Sequence, residues 1–269
     1  MPKAVLGVIG GGVMGEALLS RLIDQRVFEP DAIIVSDPQS DRCSYLTNTY
    51  GVVTTADNQQ VVEKASVILL AIKPQILDKV ASELVKAGAV SPRLLLSILA
   101  GVTLSKLQSY FPEWPVVRAM PNTPATVGAG VTAITAGTYT DADNLALAQR
   151  IFQSVGSVVE VPESLMDAVT GLSGSGPGYV AIVVEALADG GVAAGLPRAT
   201  AMQLALQTVR GTAELLIQSG LHPAQLKDQV TSPGGTTITG IASLEASGLR
   251  SALIEAVRSA CARSRELGG

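Results

Sequence analysis

Val5-Leu-Gly-Val-Ile-Gly10-Gly-Gly-Val-Met-Gly15 decides the fold. Its first five residues are a short apolar run of the kind that forms a strand buried on both faces. Gly10-x-Gly12-x-x-Gly15 follows directly, and Glu16 to Gln25 is amphipathic at helical spacing. In that context each glycine has a task. Gly10 turns the chain, Gly12 lets the backbone approach a pyrophosphate, and Gly15 lets the helix pack on the strand. The helix N-terminus then faces the negative charge.

The pattern repeats outward from there. Strands are predicted at Ala32–Ser36, Val67–Ile72, Leu94–Ile98, Val116–Met120 and Val158–Val161, and helices at 41–50, 58–64 and 76–86. Alternation of this kind predicts parallel βαβ units. After Glu163 no strand signal of comparable length remains. Segments 178–195, 198–219, 223–230, 238–246 and 249–267 read as helices separated by Gly, Pro and Ser. The predicted division is therefore an α/β domain over 1–163 and an all-helical domain over 164–269. Alanine and glycine in the second part allow close helix contacts.

Composition narrows the function. Hydrophobic residues make up 47% of the 269, enough for a large core. A mean hydropathy of +0.38 predicts further burial in an oligomer. Net charge is −4 and aromatics are 3%, which speaks against nucleic acid as a partner. Cys43 and Cys261 make no disulfide framework and suit a reducing cytoplasm. Met1-Pro-Lys-Ala-Val5 runs straight into the first strand without a secretory signal. The least polar long stretch, Val180 to Leu196, is broken by Glu185 and Asp189, so no membrane span is expected. No metal-ligand set is read.

Ser36-Asp37-Pro38 ends the second strand. Asp37 stands where an acid binds a ribose 2′-hydroxyl and repels a 2′-phosphate, while Arg42 could accept that phosphate. Asp37-Pro38 is equally read as a turn starter and Arg42 as a solvated charge. Ala71-Ile72-Lys73-Pro74 ends another strand and is expected over the cofactor crevice. Lys73 reads equally as a ribose or phosphate contact and as a surface lysine.

Thr231-Ser-Pro-Gly-Gly-Thr-Thr237 is a glycine-bent loop carrying four hydroxyls ahead of a helix. It offers hydroxyls and backbone N–H groups to a small anion, or Thr236 and Thr237 simply cap the helix. The one histidine, His222, precedes Pro223 and reads as a helix-start residue. Gly171-Leu-Ser-Gly174-Ser-Gly176 resembles the glycine motif of β-hydroxyacid dehydrogenases, but Val180 and Val184 occupy the positions of that family's catalytic lysine and its asparagine partner. The alcohol chemistry, which needs a base, is not equipped. A protonated imine is already electrophilic, and hydroxyls and N–H groups suffice to orient it.

The chain resembles the pyrroline-5-carboxylate reductases along nearly its whole length. The resemblance is carried by Gly10–Gly15, Ala71–Pro74, Ala100-Gly-Val-Thr103, Arg118-Ala-Met-Pro-Asn-Thr-Pro124, Gly171–Pro177, Gly195-Leu-Pro-Arg198, and His222-Pro-x-x-Leu-Lys-Asp228 leading into Ser232–Thr237. It implies reduction of 1-pyrroline-5-carboxylate to L-proline by NADPH, with NADH possible. It also implies a Rossmann domain with a mostly parallel, doubly wound sheet, then an all-α dimerisation domain, with dimers often building a decamer. By position it implies that Asn58, Lys73 and Ala100 line the cofactor with Gly10, Gly11, Gly12, Val13, Met14 and Gly15. Glu163 and Ser175 would lie at the ligand. Gly234, Gly235, Thr236 and Thr237 would hold the substrate carboxylate, with the Thr237 hydroxyl facing the ring nitrogen as the catalytic group. Asp37 departs from the small polar residue common in relatives and puts the usual NADPH preference in question. Gln229 replaces an asparagine that reaches the cofactor, and its longer amide could do the same.

Overall fold

A computed structural model describes residues 5–86 and 92–268; the opening Met1–Ala4 lies outside the described residues. The chain forms two compact units, one up to Gly174 together with Ala260 onward, the other Ser175–Ser259.

The first unit holds eight strands: β1 (Leu6–Ile9), β2 (Ile33–Ser36), β3 (Val53–Thr55), β4 (Val67–Leu70), β5 (Leu94–Ser97), β6 (Val116–Met120), β7 (Gly130–Ala136) and β8 (Gly156–Glu160). Its helices are α1 (Val13–Asp24), α2 (Ser40–Tyr50), α3 (Asn58–Lys64), α4 (Leu77–Lys86), α5 (Leu104–Tyr110), α6 (Ala142–Gln153) and the short α7 (Met166–Val169). The sheet order is β3-β2-β1-β4-β5-β6-β7-β8. All pairings are parallel except β6 with β7, which is antiparallel.

Alternation along the central strands explains the two-sided burial. Leu6 and Val8 of β1 and Val67 and Leu69 of β4 join one core with Leu18, Leu19 and Leu22 of α1 and Ile151 and Phe152 of α6. Ile9, Ile68 and Leu70 join the other core, with Val61 and Val62 of α3, Val80 and Leu84 of α4, and Phe111. Strands packed on both faces have no use for polar alternation, which is why they read as apolar runs. Each of the three fully buried α1 leucines contributes roughly 2 kcal/mol by leaving water. The chain moves from β1 to β2 and β3 on one side, then returns to place β4 on the other. That reversal opens a crevice at the carboxyl ends of β1 and β4, the usual ligand position in an open α/β sheet.

Two strands and three helices, among them the short α7, were not read from the sequence. β7 carries Thr132 and Thr135, both buried, and they interrupt the apolar pattern. β3 is only three residues long at the sheet edge. α5 and α6 are each opened by a capping side chain: Thr103 accepts from Lys106 N–H and Asp141 from Asn144 N–H. Those capping residues were the available signal.

The second unit is helical: α8 (Gly176–Ala193), α9 (Arg198–Ser219), α10 (Pro223–Gln229), α11 (Thr236–Ala246) and α12 (Leu249–Gly268), whose last residues count with the first unit. Its buried core is small, with Val184 and Ala188 of α8 against Ala201 and Ala205 of α9. Large apolar side chains stay exposed, Ile182 at 66% and Ile217 at 83%. No helix among the described residues is long and apolar enough to cross a membrane.

Candidate active site

The loop between β1 and α1 is built by close backbone approach. A Cβ on Gly15 would stand 2.3 Å from the Gly10 carbonyl oxygen, so only glycine lets α1 start there. A Cβ on Gly12 would meet nothing within 4 Å, so the loop is open on that side. Gly12 caps α1 without a side-chain bond, and the first-turn N–H groups of a helix have no partner within it. An open glycine cradle at a helix N-terminus fits a pyrophosphate. Val13 is 74% exposed at that rim, and Met14 packs against the core.

Beside the loop lies a cavity of about 210 Å³ lined by Gly10, Ser36, Pro38, Asn58, Ile72 and Glu83, among others. Ser36 Oγ donates to Asn58 Oδ1 at 2.6 Å, and Asn58 Nδ2 donates to Glu83 Oε2 at 2.9 Å. The structure thus brings together five of the residues predicted for the cofactor and adds Glu83 of α4, which sequence reasoning missed. Ala71 stands behind the loop, its carbonyl closing over Gly10. Lys73 is exposed at the start of the short 3-10 turn Pro74–Ile76. Pro74 and Ala100 line a second, more open groove of about 320 Å³ with Thr103 and Lys106.

Asp37 takes the turn role read from the sequence, and both Asp37 and Arg42 also brace the glycine loop. Asp37 Oδ2 accepts from Gly11 N–H at 3.0 Å and Oδ1 accepts from Gln39 N–H at 3.0 Å, so it is both a turn residue and a brace for the loop. Arg42 donates through Nε to the Gly11 carbonyl and pairs with Glu16. The reading of Arg42 as a solvated charge is corrected: its side chain is 24% exposed, pairs with Glu16 of α1 and donates to the loop carbonyl of Gly11.

Glu163 lies within the first unit. Its Oε1 accepts from Leu104 N–H at 2.6 Å and from the Arg118 guanidinium at 3.0 Å. The Arg118 side chain is only 7% exposed, whereas that of Glu163 is 33% exposed. Removing the carboxylate would strand a buried guanidinium. Glu163→Ala should therefore lower stability by about 2 kcal/mol, below the fully buried case because the carboxylate is partly solvated. Urea denaturation checks this, and Glu163→Gln, which still accepts from Leu104, should lose less.

In the second unit, α11 begins at Thr236, two residues before the predicted Ile238. Its cap is Gly235, with no side-chain capping bond, so neither Thr236 nor Thr237 serves as the cap. Gly234, at φ +65, closes a turn in which Gly235 N–H donates to Ser232 O at 3.0 Å. Thr231 and Thr239 spend their hydroxyls on the carbonyls of Lys227 and Gly235. Thr236 and Thr237 are exposed, and among the described residues their hydroxyls have no hydrogen-bond partner. Gln229 is the last, exposed residue of α10, and Ser175 precedes α8 without a capping bond. His222 accepts from Ala224 N–H through Nδ1 at 3.2 Å, and Gln225 returns a bond to its N–H, a helix-start role.

A family model described as pyrroline-5-carboxylate reductase dimerisation matches residues 163–267. A second, described as NADP oxidoreductase, coenzyme F420-dependent, matches residues 5–101. A curated pyrroline-5-carboxylate reductase of Synechocystis is 60% identical over 98% of each chain. The pyrroline-5-carboxylate reductase structure from Coxiella burnetii superposes with a TM-score of 0.92 at 36% identity, over 98% of each chain. That of Plasmodium falciparum, with NADP bound, gives 0.88 at 31% identity over the whole of both chains.

Proposed function

The chain belongs to the pyrroline-5-carboxylate reductase family, and from that premise we propose that it reduces the cyclic imine 1-pyrroline-5-carboxylate to L-proline, the last step of proline biosynthesis, with NADPH as the hydride donor and NADH as an alternative. The observation that carries the reading is the pair of unspent hydroxyls at Thr236 and Thr237, on the first turn of α11. A helix start with free N–H groups and hydroxyls suits a carboxylate. Valines at 180 and 184 leave the alcohol chemistry without its base.

The residues have divided tasks. The bound dinucleotide would supply hydride to the imine carbon. Gly10–Gly15 would hold its pyrophosphate, Ser36, Asp37, Pro38, Asn58 and Ile72 its adenosine half, and Gln229 would also reach the cofactor. Ala71, Lys73, Pro74 and Ala100 would line the cofactor along the strand ends. Gly234, Gly235 and Thr236 would hold the substrate carboxylate. Thr237 would hydrogen-bond the ring nitrogen and fix the imine carbon for attack. Ser175 would lie near the substrate. Glu163 has one oxygen committed to Arg118 and Leu104, so it would meet the ligand with the other. Most of the cofactor work would fall to residues 1–163, with Gln229 added from beyond it, and substrate binding and dimerisation to 164–269, with Glu163 at the boundary. No strong protein acid is required, because protonation of the imine itself makes the carbon electrophilic.

The chain works as a homo-oligomer, consistent with the dimerisation match and with Ile182 and Ile217 exposed in the single chain. We assign the dimer as its unit, five dimers as the full assembly, and the cytoplasm as its location. Native mass spectrometry tests the assembly, with ten chains expected.

The activity is tested by supplying purified protein with NADPH or NADH and with 1-pyrroline-5-carboxylate or a small hydroxy acid and its oxidised cofactor. Oxidation of NADPH only with the imine is expected; turnover of the hydroxy acid alone would overturn the reading.

A further inference from the structure

The side chains around Gly11 carry a consequence for cofactor choice. Gly11 is gripped from both sides: Asp37 Oδ2 accepts its N–H and Arg42 Nε donates to its carbonyl. One residue of the phosphate loop thus brings a carboxylate and a guanidinium close together at the end of β2. This is where an adenosine ribose and any 2′-phosphate on it would lie. Arg42 is not idle there. Its other bonded nitrogen pairs with Glu16 Oε2, and its guanidinium lies 5.0 Å from the centre of the Tyr45 ring. Glu16 is itself held on three sides, because Tyr50 Oη donates to Oε1 at 2.7 Å and Tyr45 Oη at 3.1 Å. Burial works against the Glu16 charge, but the hydrogen bonds from Arg42, Tyr50 and Tyr45 outweigh it and hold its carboxyl below the usual range.

We propose that Glu16 sets the cofactor selectivity of this chain, by holding Arg42 on the glycine loop as a positioning residue and withholding it from a 2′-phosphate. The inference rests on the reading that the loop binds a nicotinamide dinucleotide. Three observations make the assignment. The Arg42 charge is compensated by Glu16, so the region offers little net attraction to a second phosphate. Asp37, which follows β2 directly, repels it. The Arg42–Gly11 bond supports a loop that both cofactors share. The second phosphate of NADPH should therefore add no affinity over NADH, and Arg42 should matter equally to both.

Glu16→Gln is the test, because it removes the compensating charge at nearly unchanged size; its single amide oxygen can keep either Arg42 or the two tyrosines as donors, not both as the carboxylate does. Binding is read without substrate, by the fluorescence of NADH and NADPH titrated onto the oligomer. The ratio of dissociation constants, NADH over NADPH, should rise by about fivefold, the size of one partly exposed charge contact. An unchanged ratio overturns the proposal. Arg42→Gln gives an independent check should Glu16→Gln fail to fold. It should weaken both cofactors to the same extent, with partial recovery of both in Arg42→Lys. Loss confined to NADPH would show that Arg42 already serves the 2′-phosphate, which also overturns it. If neither cofactor binds the unaltered protein, the dinucleotide reading itself has failed; if both bind without imine turnover, only the substrate reading has.

Discussion

Thr237→Ala is expected to lower kcat/KM for 1-pyrroline-5-carboxylate by about a hundredfold, close to 3 kcal/mol, as removal of one oriented hydrogen-bonding group at a reacting centre does. The side chain is exposed on the first turn of α11, does not cap the helix and has no partner among the described residues. Its loss therefore breaks no internal bond, and stability should change by only about half a kcal/mol. NADPH affinity, read by fluorescence, should stay within about twofold, since the hydroxyl is assigned to the substrate and not to the cofactor. Thr237→Ser keeps the hydroxyl and should recover most of the rate. Equal loss of cofactor and substrate handling in Thr237→Ala would show that the residue supports the helix start instead.

Gly15→Ala acts at the other end of the chemistry. The added methyl would stand 2.3 Å from the Gly10 carbonyl oxygen and 3.4 Å from Ala71 Cβ. The obstacle is the Gly10 backbone, so a rotamer change cannot relieve it. Either α1 moves off β1 or the Gly10 peptide turns. The first costs packing of Leu18, Leu19 and Leu22, and the second spoils the cradle. A loss of about 2 kcal/mol in urea denaturation is expected from overpacking. Cofactor affinity should fall at least about thirtyfold, because the pyrophosphate site depends on the geometry being disturbed. Normal NADPH binding by Gly15→Ala would mean that the loop is not the pyrophosphate site.

The parts of this molecule that were legible from sequence are those where one physical demand dominates. β1, β4 and β5 are buried on both faces and so appear as unbroken apolar runs, and the glycines between β1 and α1 are required by backbone contact. α9 was placed at its observed ends, Arg198 and Ser219, because Pro197 precedes it and Gly220 closes it at φ +64. The missed elements answer to mixed demands. β7 buries two threonines beside apolar residues, and its antiparallel course leaves no mark in a strand-helix-strand rhythm. The hydroxyl-bearing loop ahead of α11 was legible because its signal is local, in the glycines and threonines of Ser232–Thr237. It was not legible where side chains meet across elements. Nothing in the spacing of Glu16, Asp37 and Arg42 says that Asp37 and Arg42 hold one glycine between them. Nor does anything in α4 say that Glu83 reaches Asn58.

The central claim is hydride transfer from a nicotinamide to an imine carbon that the protein only orients. It is tested most directly by turnover with NADPH deuterated at the transferable position, followed by mass spectrometry of the product. Proline carrying a single deuterium on the ring carbon that was double-bonded to nitrogen is the predicted result. Unlabelled proline, or no proline from folded protein that binds the cofactor, would contradict it.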